Sequence, residues 1–255
     1  MDIAVLVKEV PDLEARVQVV QDGKALEIEK KRVLSFFDEI AVEAALRLRQ
    51  AAGGGRVYAV GAGAGFGLEA VRRAIAMGAD AGMLVDDPAL EEADPLTVAR
   101  GLAAVVKQEG FDLVLAGKQA TDDEAGLVGP MVAELLGVPC VVGVTGAEAD
   151  GAGLRVTREA GGGVETLGVP LPALLTAEKG WYEPRVPQVM GLMKAMKAQV
   201  GRFTLGDLGV QALEPLAVEG YQGPRSRPPV QMIEGEPAEA AAELVRRLRD
   251  EARVL

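Results

Sequence analysis

The sequence predicts an α/β fold, a doubly wound and mainly parallel sheet, and three observations lead to it. Short strands rich in Val, Ile and Leu alternate with longer segments of helical periodicity from Ile3 to Val144. Aromatic residues are only 4% of the chain, while Ala, Val, Leu and Gly dominate, which suits helices laid on parallel strands better than a β-sandwich. The breaks between segments carry Gly, Pro and Asp, which stop strands and cap helices.

Ile3 to Val7 reads as the first strand, ended by Lys8-Glu9-Val10-Pro11-Asp12. Val17 to Ile28 alternates around Asp22-Gly23 and reads as a hairpin excursion. Asp38 to Ala52 is the first helix, with Asp38 as its expected N-cap, Glu39 at the positive end and Arg47 and Arg49 at the negative end. Gly53-Gly54-Gly55 stops it, and Arg56 to Val60 is the second strand. A glycine run, Gly61 to Gly67, opens a helix from Leu68 to Met77 closed by Gly78. Gly82 to Val85 is the third strand. Asp94 caps the next helix, which has Pro95 at its first position and runs to Lys107. Leu113 to Ala116 and Val138 to Val144 are further strands, with a helix from Asp122 to Leu136 between them. The alternation implies right-handed crossovers. Past Gly146, the short runs Leu154 to Arg158, Val164 to Leu167 and Ala173 to Thr176 can extend the sheet with antiparallel pairings. Val186 to Lys197 is a Met-rich amphipathic segment. Gly201 to Pro229 holds many Gly and Pro, and Pro237 to Leu255 is a helix with Leu244, Val245 and Leu248 as its apolar stripe. The expected division is a nucleotide-binding α/β domain over 1–200 and an arm with a terminal helix over 201–255.

Composition narrows the function. A net charge of −11 argues against nucleic acid, which needs a basic face. With no histidine, His-ligated metals, Ser-His-Asp triads and a His general base are excluded. The single Cys140 follows Pro139 in an apolar run and is expected as a buried core thiol, with no internal disulfide, as suits a cytosolic protein. No run approaches the roughly 18 apolar residues of a membrane helix, and Met1-Asp2-Ile3-Ala4-Val5 enters a strand at once, so neither a span nor a signal peptide is expected.

The stretch from Asp112 to Gly137 carries the most chemistry. A strand runs into the polar loop Gly117-Lys118-Gln119-Ala120-Thr121-Asp122-Asp123-Glu124, and the loop opens a helix. Ligands of open α/β sheets bind at strand ends, and a helix start offers unpaired N–H groups that suit a phosphate. A nucleotide is therefore the expected ligand. Free carboxylates would repel a phosphate, so Asp122 is expected as N-cap, with Asp123 and Glu124 in the first turn. The loop is also readable as a well-capped helix and nothing more; Asp122-Asp123 as a magnesium site has no further support in the loop. The run at Gly61 to Gly67 has the first two glycines of a dinucleotide fingerprint, but Phe66 stands where the third belongs. Met190, Met193 and Met196 among Lys194 and Lys197 suit either an adaptable partner surface or a surface helix with a core stripe.

Several segments taken in order resemble the β subunit of electron transfer flavoproteins. They include Phe37-Asp38-Glu39-Ile40-Ala41-Val42-Glu43, Ala74-Ile75-Ala76-Met77-Gly78-Ala79-Asp80, Asp112 through Asp123, and Arg158-Glu159 with Gly162 to Leu167. Leu171-Pro172-Ala173, Glu183-Pro184-Arg185, Met193-Lys194-Ala195 and Gly206-Asp207-Leu208-Gly209-Val210 complete the set. The resemblance implies an adenine nucleotide alpha hydrolase-like domain and an electron carrier rather than an enzyme. It implies pairing with an α subunit that holds most of the redox FAD, and a C-terminal arm that docks on that subunit. A structural AMP would be lined by Leu6, by Ser35, Phe36, Phe37 and Asp38, by Ala62, and by Gly117 through Glu124 with Ala125, Gly126, Leu127 and Val128. Partner recognition maps to a loop near 184–197, with Pro184, Arg185, Val189, Met190, Met193, Lys194 and Lys197. Electrons would come from acyl-CoA dehydrogenases and other flavin dehydrogenases and pass toward a quinone oxidoreductase. Three positions depart from the family pattern: Val189 where it has an anchor leucine, Leu13 where it has a tyrosine, and Gly161 where it has an acidic residue. Three other readings share the fold: a flavin-bifurcating carrier with a second FAD and NADH in the AMP cleft, an ATP-dependent enzyme, and a homodimeric nucleotide sensor.

Overall fold

The computed structural model describes residues 1–91, 93–214 and 217–255. Pro215 and Leu216, within the expected Gly- and Pro-rich arm, lie outside the described residues.

The first strand, β1 (Ile3–Val7), is buried along its whole length. Its side chains alternate between two cores. Ile3, Val5 and Val7 join Ile40, Val42, Val71 and Ile75 on one face. Ala4 and Leu6 join Leu102, Val105, Val106 and Val132 on the other. A strand covered on both faces needs no polar side chain, so its sequence is a continuous apolar run.

After β1 come the short strands β2 (Glu9–Pro11), β3 (Val17–Val20), β4 (Ala25–Ile28) and β5 (Arg32–Leu34). β3 and β4 form the expected hairpin, and β2 pairs antiparallel with β5. The main wind then follows: α1 (Phe36–Ala51), β6 (Val57–Gly63), α2 (Leu68–Met77), β7 (Ala81–Asp86), α3 (Pro95–Glu109), β8 (Leu113–Gly117), α4 (Val128–Leu136) and β9 (Cys140–Asp150). The tail of this unit adds β10 (Gly153–Ala160), β11 (Gly163–Pro170), β12 (Ala173–Ala177), α5 (Val189–Lys197) and β13 (Val200–Phe203).

One nine-stranded sheet runs in the order β11-β10-β9-β12-β8-β1-β6-β7-β13. Every pairing from β9 to β13 is parallel. β10 pairs antiparallel with both β9 and β11, so the chain past Gly146 extends the sheet as expected. The doubly wound α/β fold is thus the one the sequence predicts. The chain winds from β1 outward through β6 to β7, then returns to lay β8 on the other side of β1. That reversal is the switch point at which open α/β sheets bind ligands.

Four expectations need correction. Asp38 is not the cap of α1: the helix starts two residues earlier, with Ser35 at the N-cap, and Asp38 lies inside the first turn. The helix after β8 does not begin at Asp122 but at Val128, because the loop makes turns of its own before the helix starts. Cys140 is exposed, not buried. On β9, Val141 and Val144 point into the core while Cys140 and Val142 face out, so the run is apolar on a face that no described residue covers. Strand β13 was not foreseen; four residues ending in Phe203 pair with β7 at the sheet edge.

The chain divides into two compact units, one of Met1–Gln18 with Leu26–Glu219, the other of Val19–Ala25 with Gly220–Leu255. In the second, the Tyr221 N–H donates to the Gly23 carbonyl at 2.7 Å. Its helix α6 (Pro237–Asp250) carries Glu243 against both Arg246 and Arg247. Leu244 and Val245 of the expected stripe are exposed. Among the described residues no helix is long and apolar enough to cross a membrane.

Candidate functional site

A cleft of about 610 Å³ opens at the carboxyl ends of β1, β6 and β8. That volume lies within the range of small-molecule sites. Of the positions picked out from sequence, Leu6, Asp38, Ala62, Gly117, Lys118, Gln119, Ala120, Asp122, Asp123, Ala125, Gly126, Leu127 and Val128 line it. Ser35, Phe36, Phe37, Thr121 and Glu124 stand outside that lining. Ser35 and Thr121 nonetheless each bury a hydroxyl oxygen with no hydrogen-bond partner among the described residues.

The floor is set by Asp38. Its carboxylate accepts the Lys8 N–H at 2.8 Å and the Gly117 N–H at 2.9 Å, tying together the ends of β1 and β8 where the two strands part. Gly117 has to be glycine, because a Cβ there would sit 2.4 Å from Asp38 Oδ1. Burial pushes the Asp38 carboxyl up to about 7, against the two N–H groups that pull it down.

The rim is held by a residue the sequence reading passed over. Lys8 Nζ reaches Asp122 Oδ1 at 2.8 Å and Asp123 Oδ2 at 2.9 Å. Burial alone would lower the Lys8 ammonium; the hydrogen bonds to both aspartates outweigh it and the net shift is upward. Asp123 is likewise held below its usual range, the Ala125 N–H and Lys8 outweighing the cost of its burial. So the acidic pair caps no helix: Asp122 accepts from the Asp123 N–H, Asp123 from the Ala125 N–H, and both pin the loop to the end of β1. A lysine directly after a buried strand was the available signal, since that position faces the switch point.

Four helices begin around this cleft, and their N-termini are not alike; at α1 no side chain caps the helix. At α3, Asp94 accepts from the Leu96 and Thr97 N–H groups at 2.7 and 3.0 Å, as expected of a cap. At α2, the buried Glu9 reaches across from β2 and accepts from the Gly67 N–H at 2.9 Å and the Glu69 N–H at 3.3 Å. The glycine run before α2 is also engaged at Gly65, whose N–H donates to Asp86. At α4 no side chain caps the helix, and no described acceptor meets the N–H of Gly126, Leu127, Val128 or Gly129. This last terminus carries the open donors and the unbalanced end of the helix dipole, the combination that holds an anion.

The second region picked out from sequence is α5 and the turn before it. Arg185 grips the buried Glu43 of α1 with Nε at 2.6 Å and Nη2 at 3.0 Å, and Pro184 beside it is half-buried. Burial alone would raise Glu43; Arg185 and Arg47 outweigh it and hold the carboxyl low. Two of the family-like segments, Phe37 to Glu43 and Glu183 to Arg185, therefore meet in one ion pair. Gly191 lets α5 touch α2, since a Cβ would lie 2.3 Å from the Ala76 carbonyl oxygen. Lys194 Nζ donates to the Ala79 carbonyl just past the end of α2. The outer face presents Val189, Met190, Met193 and Met196, exposed by 72, 82, 54 and 76%, with Lys197 also exposed. Only Ala195 of this helix is buried, so the methionines form no core stripe.

Comparison with known proteins agrees with this architecture. The electron transfer flavoprotein domain family matches residues 24–208. The chain is 35% identical to the electron transfer flavoprotein subunit beta of Bacillus subtilis over 260 residues, covering all of both chains. It is 38% identical to the subunit of the same name from Sus scrofa and to that from Homo sapiens, in each case over all of this chain and 95% of the relative. A sheet wound around a nucleotide-sized cleft, full-length identity at this level and a domain match over most of the chain lead to one assignment: the chain belongs to the electron transfer flavoprotein β-subunit family.

Proposed function

We propose that this chain is the β subunit of a two-subunit electron carrier and that its cleft holds one AMP as a structural element. The observation that carries the nucleotide reading is the uncapped start of α4, with four consecutive N–H groups, Gly126 to Gly129, free of described acceptors. These donors would receive the phosphate. The orphan hydroxyls of Ser35 and Thr121, near the lining residues Asp38 and Asp122 in sequence, are polar groups that ordered water behind a bound nucleotide would satisfy. Lys8 offsets one of the two charges of Asp122 and Asp123 by pairing with both. A ligand that binds only the folded state adds to stability by mass action. No bond-making role falls to the side chains of this subunit; the FAD, held mostly by an α subunit, supplies the redox chemistry when bound.

In the same reading, the exposed Val189, Met190 and Met193 face of α5 meets the flavin dehydrogenases that donate electrons, acyl-CoA dehydrogenases among them. Methionine suits a surface that receives several partners because its side chain repacks at little cost. Pro184 and Arg185 fix the approach to that helix through Glu43, while Lys194 and Lys197 supply positive charge for steering. Electrons then pass toward a quinone oxidoreductase, and the arm over 201–255 docks on the α subunit.

Denaturing the purified complex and identifying the released nucleotides by mass spectrometry tests the proposal. One AMP per β chain, together with one FAD per pair, is the expected result. A protein free of any purine nucleotide, or one that carries two FAD per pair, overturns it.

A further inference from the structure

We propose that Glu9 is a specificity-determining residue that limits the cleft to a nucleotide with a single phosphate. The inference rests on the nucleotide reading above and goes beyond it, because it assigns the ligand's charge to a residue outside the phosphate-binding loop. Glu9 lines the same cleft as the loop, yet only 7% of it is exposed. Its carboxylate sits on the N-terminus of α2, taking the Gly67 and Glu69 N–H groups. The α3 terminus at the cleft is closed in the same way by Asp94. A first phosphate has the donors at the start of α4. A second phosphate directed toward the glycine run finds the α2 terminus already occupied and meets a buried negative charge there.

Glu9 acts more strongly than its neighbours for a physical reason. Asp122 and Asp123 share Lys8, so the cluster keeps one net negative charge, spread over partly exposed groups that water screens. Arg32 is the cation on the α2 side, but it is exposed and lies over the Phe66 ring at 5.0 Å, where water screens it. The buried Glu9 is screened much less. Its two hydrogen bonds come from neutral backbone groups, and the positive end of the α2 dipole offsets only about half a charge, so negative charge remains. The glycine run from Gly61 to Gly67 therefore resembles a polyphosphate loop while carrying its own anion.

The test compares AMP with ADP on the full-length protein by equilibrium exchange of the bound nucleotide, in wild type and in Glu9→Gln. Glutamine keeps an oxygen for the Gly67 N–H and removes the charge. Wild type is expected to prefer AMP. Glu9→Gln is expected to narrow the AMP-to-ADP ratio by about tenfold, the effect of one unit charge roughly 10 Å away in a protein-like dielectric, with AMP affinity little changed. An unchanged ratio overturns the role of Glu9 and leaves the nucleotide reading standing. A wild type that binds neither nucleotide overturns that reading first. Should Glu9→Gln fail to fold, the wild-type ratio measured from low to high salt decides: a preference for AMP that persists at high salt supports the buried charge, and a preference that is absent or that salt abolishes overturns it.

Discussion

Two helices open onto the same cleft, and the one that looks built for phosphate in sequence is not the one left open for it. The start of α2 follows four glycines among the residues from Gly61 to Gly67, but its terminus is occupied by Glu9, and Asp86 holds the loop before it. The start of α4 follows a loop with three acidic residues, yet its first N–H groups are free of described acceptors. The lesson is that glycine content sets how closely a ligand can approach a backbone. Whether the donors are available depends on carboxylates that can come from far away in sequence. Glu9 is 58 residues from Gly67, and Lys8 reaches 114 residues to disarm Asp122.

The contrast can be broken most forcefully at its shared foundation. Asp38→Ala would leave the Lys8 and Gly117 N–H groups buried without an acceptor, costing about 2–6 kcal/mol at roughly 1–3 per orphaned group, and would loosen the loop that leads to α4. A thermal melt with and without AMP checks both effects. The same carboxyl predicts a pH dependence. Its folded value, about 7, lies above the ordinary 3.8, so between these values the native state holds a proton that the unfolded chain has lost. Its contribution is therefore fully present below pH 4 and is lost as pH rises toward 7. Stability relative to Asp38→Asn should accordingly fall across that window in urea melts and stay level above it.

Next in size is Glu9→Ala, which removes the bond to the Gly67 N–H and that to the Glu69 N–H. A loss of about 1–2 kcal/mol is expected, as for other lost helix caps, with AMP still bound at α4. Loss of AMP in a folded Glu9→Ala protein would mean that the two termini do not have separate roles. Gly126→Ala acts on the open side. Gly126 has φ +63°, and a side chain there costs about 1 kcal/mol and shifts the donors, so nucleotide retention should drop more than melting temperature. The smallest effect is expected from Asp122→Ala. Asp122 caps no helix, and its pair with Lys8 is partly exposed on both sides, so the stability change should stay under about 1 kcal/mol by calorimetry.

The sequence made the sheet legible because each central strand is an apolar run and each crossover helix has a cap or a glycine stop, as at Asp94, Gly78 and Gly137. The cleft was legible too, since strand ends at Leu6, Ala62 and Gly117 had to meet at a switch point. Helix starts were less so. Asp38 and Asp122 are good capping residues by type, but both are used by tertiary partners instead, Asp38 by two strand ends and Asp122 by Lys8. Cys140 was misread because an apolar run implies burial on both faces only where the chain itself covers both. Glu9 left no local pattern, since its partners lie on another element, and Lys8 showed only its place directly after a buried strand.

Amide hydrogen exchange, measured residue by residue with and without AMP, tests the contrast between the two helix starts most directly. Protection gained at Gly126, Leu127, Val128 and Gly129, with none gained at Gly65, Gly67 and Glu69, is the predicted result. Protection that appears at the start of α2 instead, or at neither helix, would contradict the account.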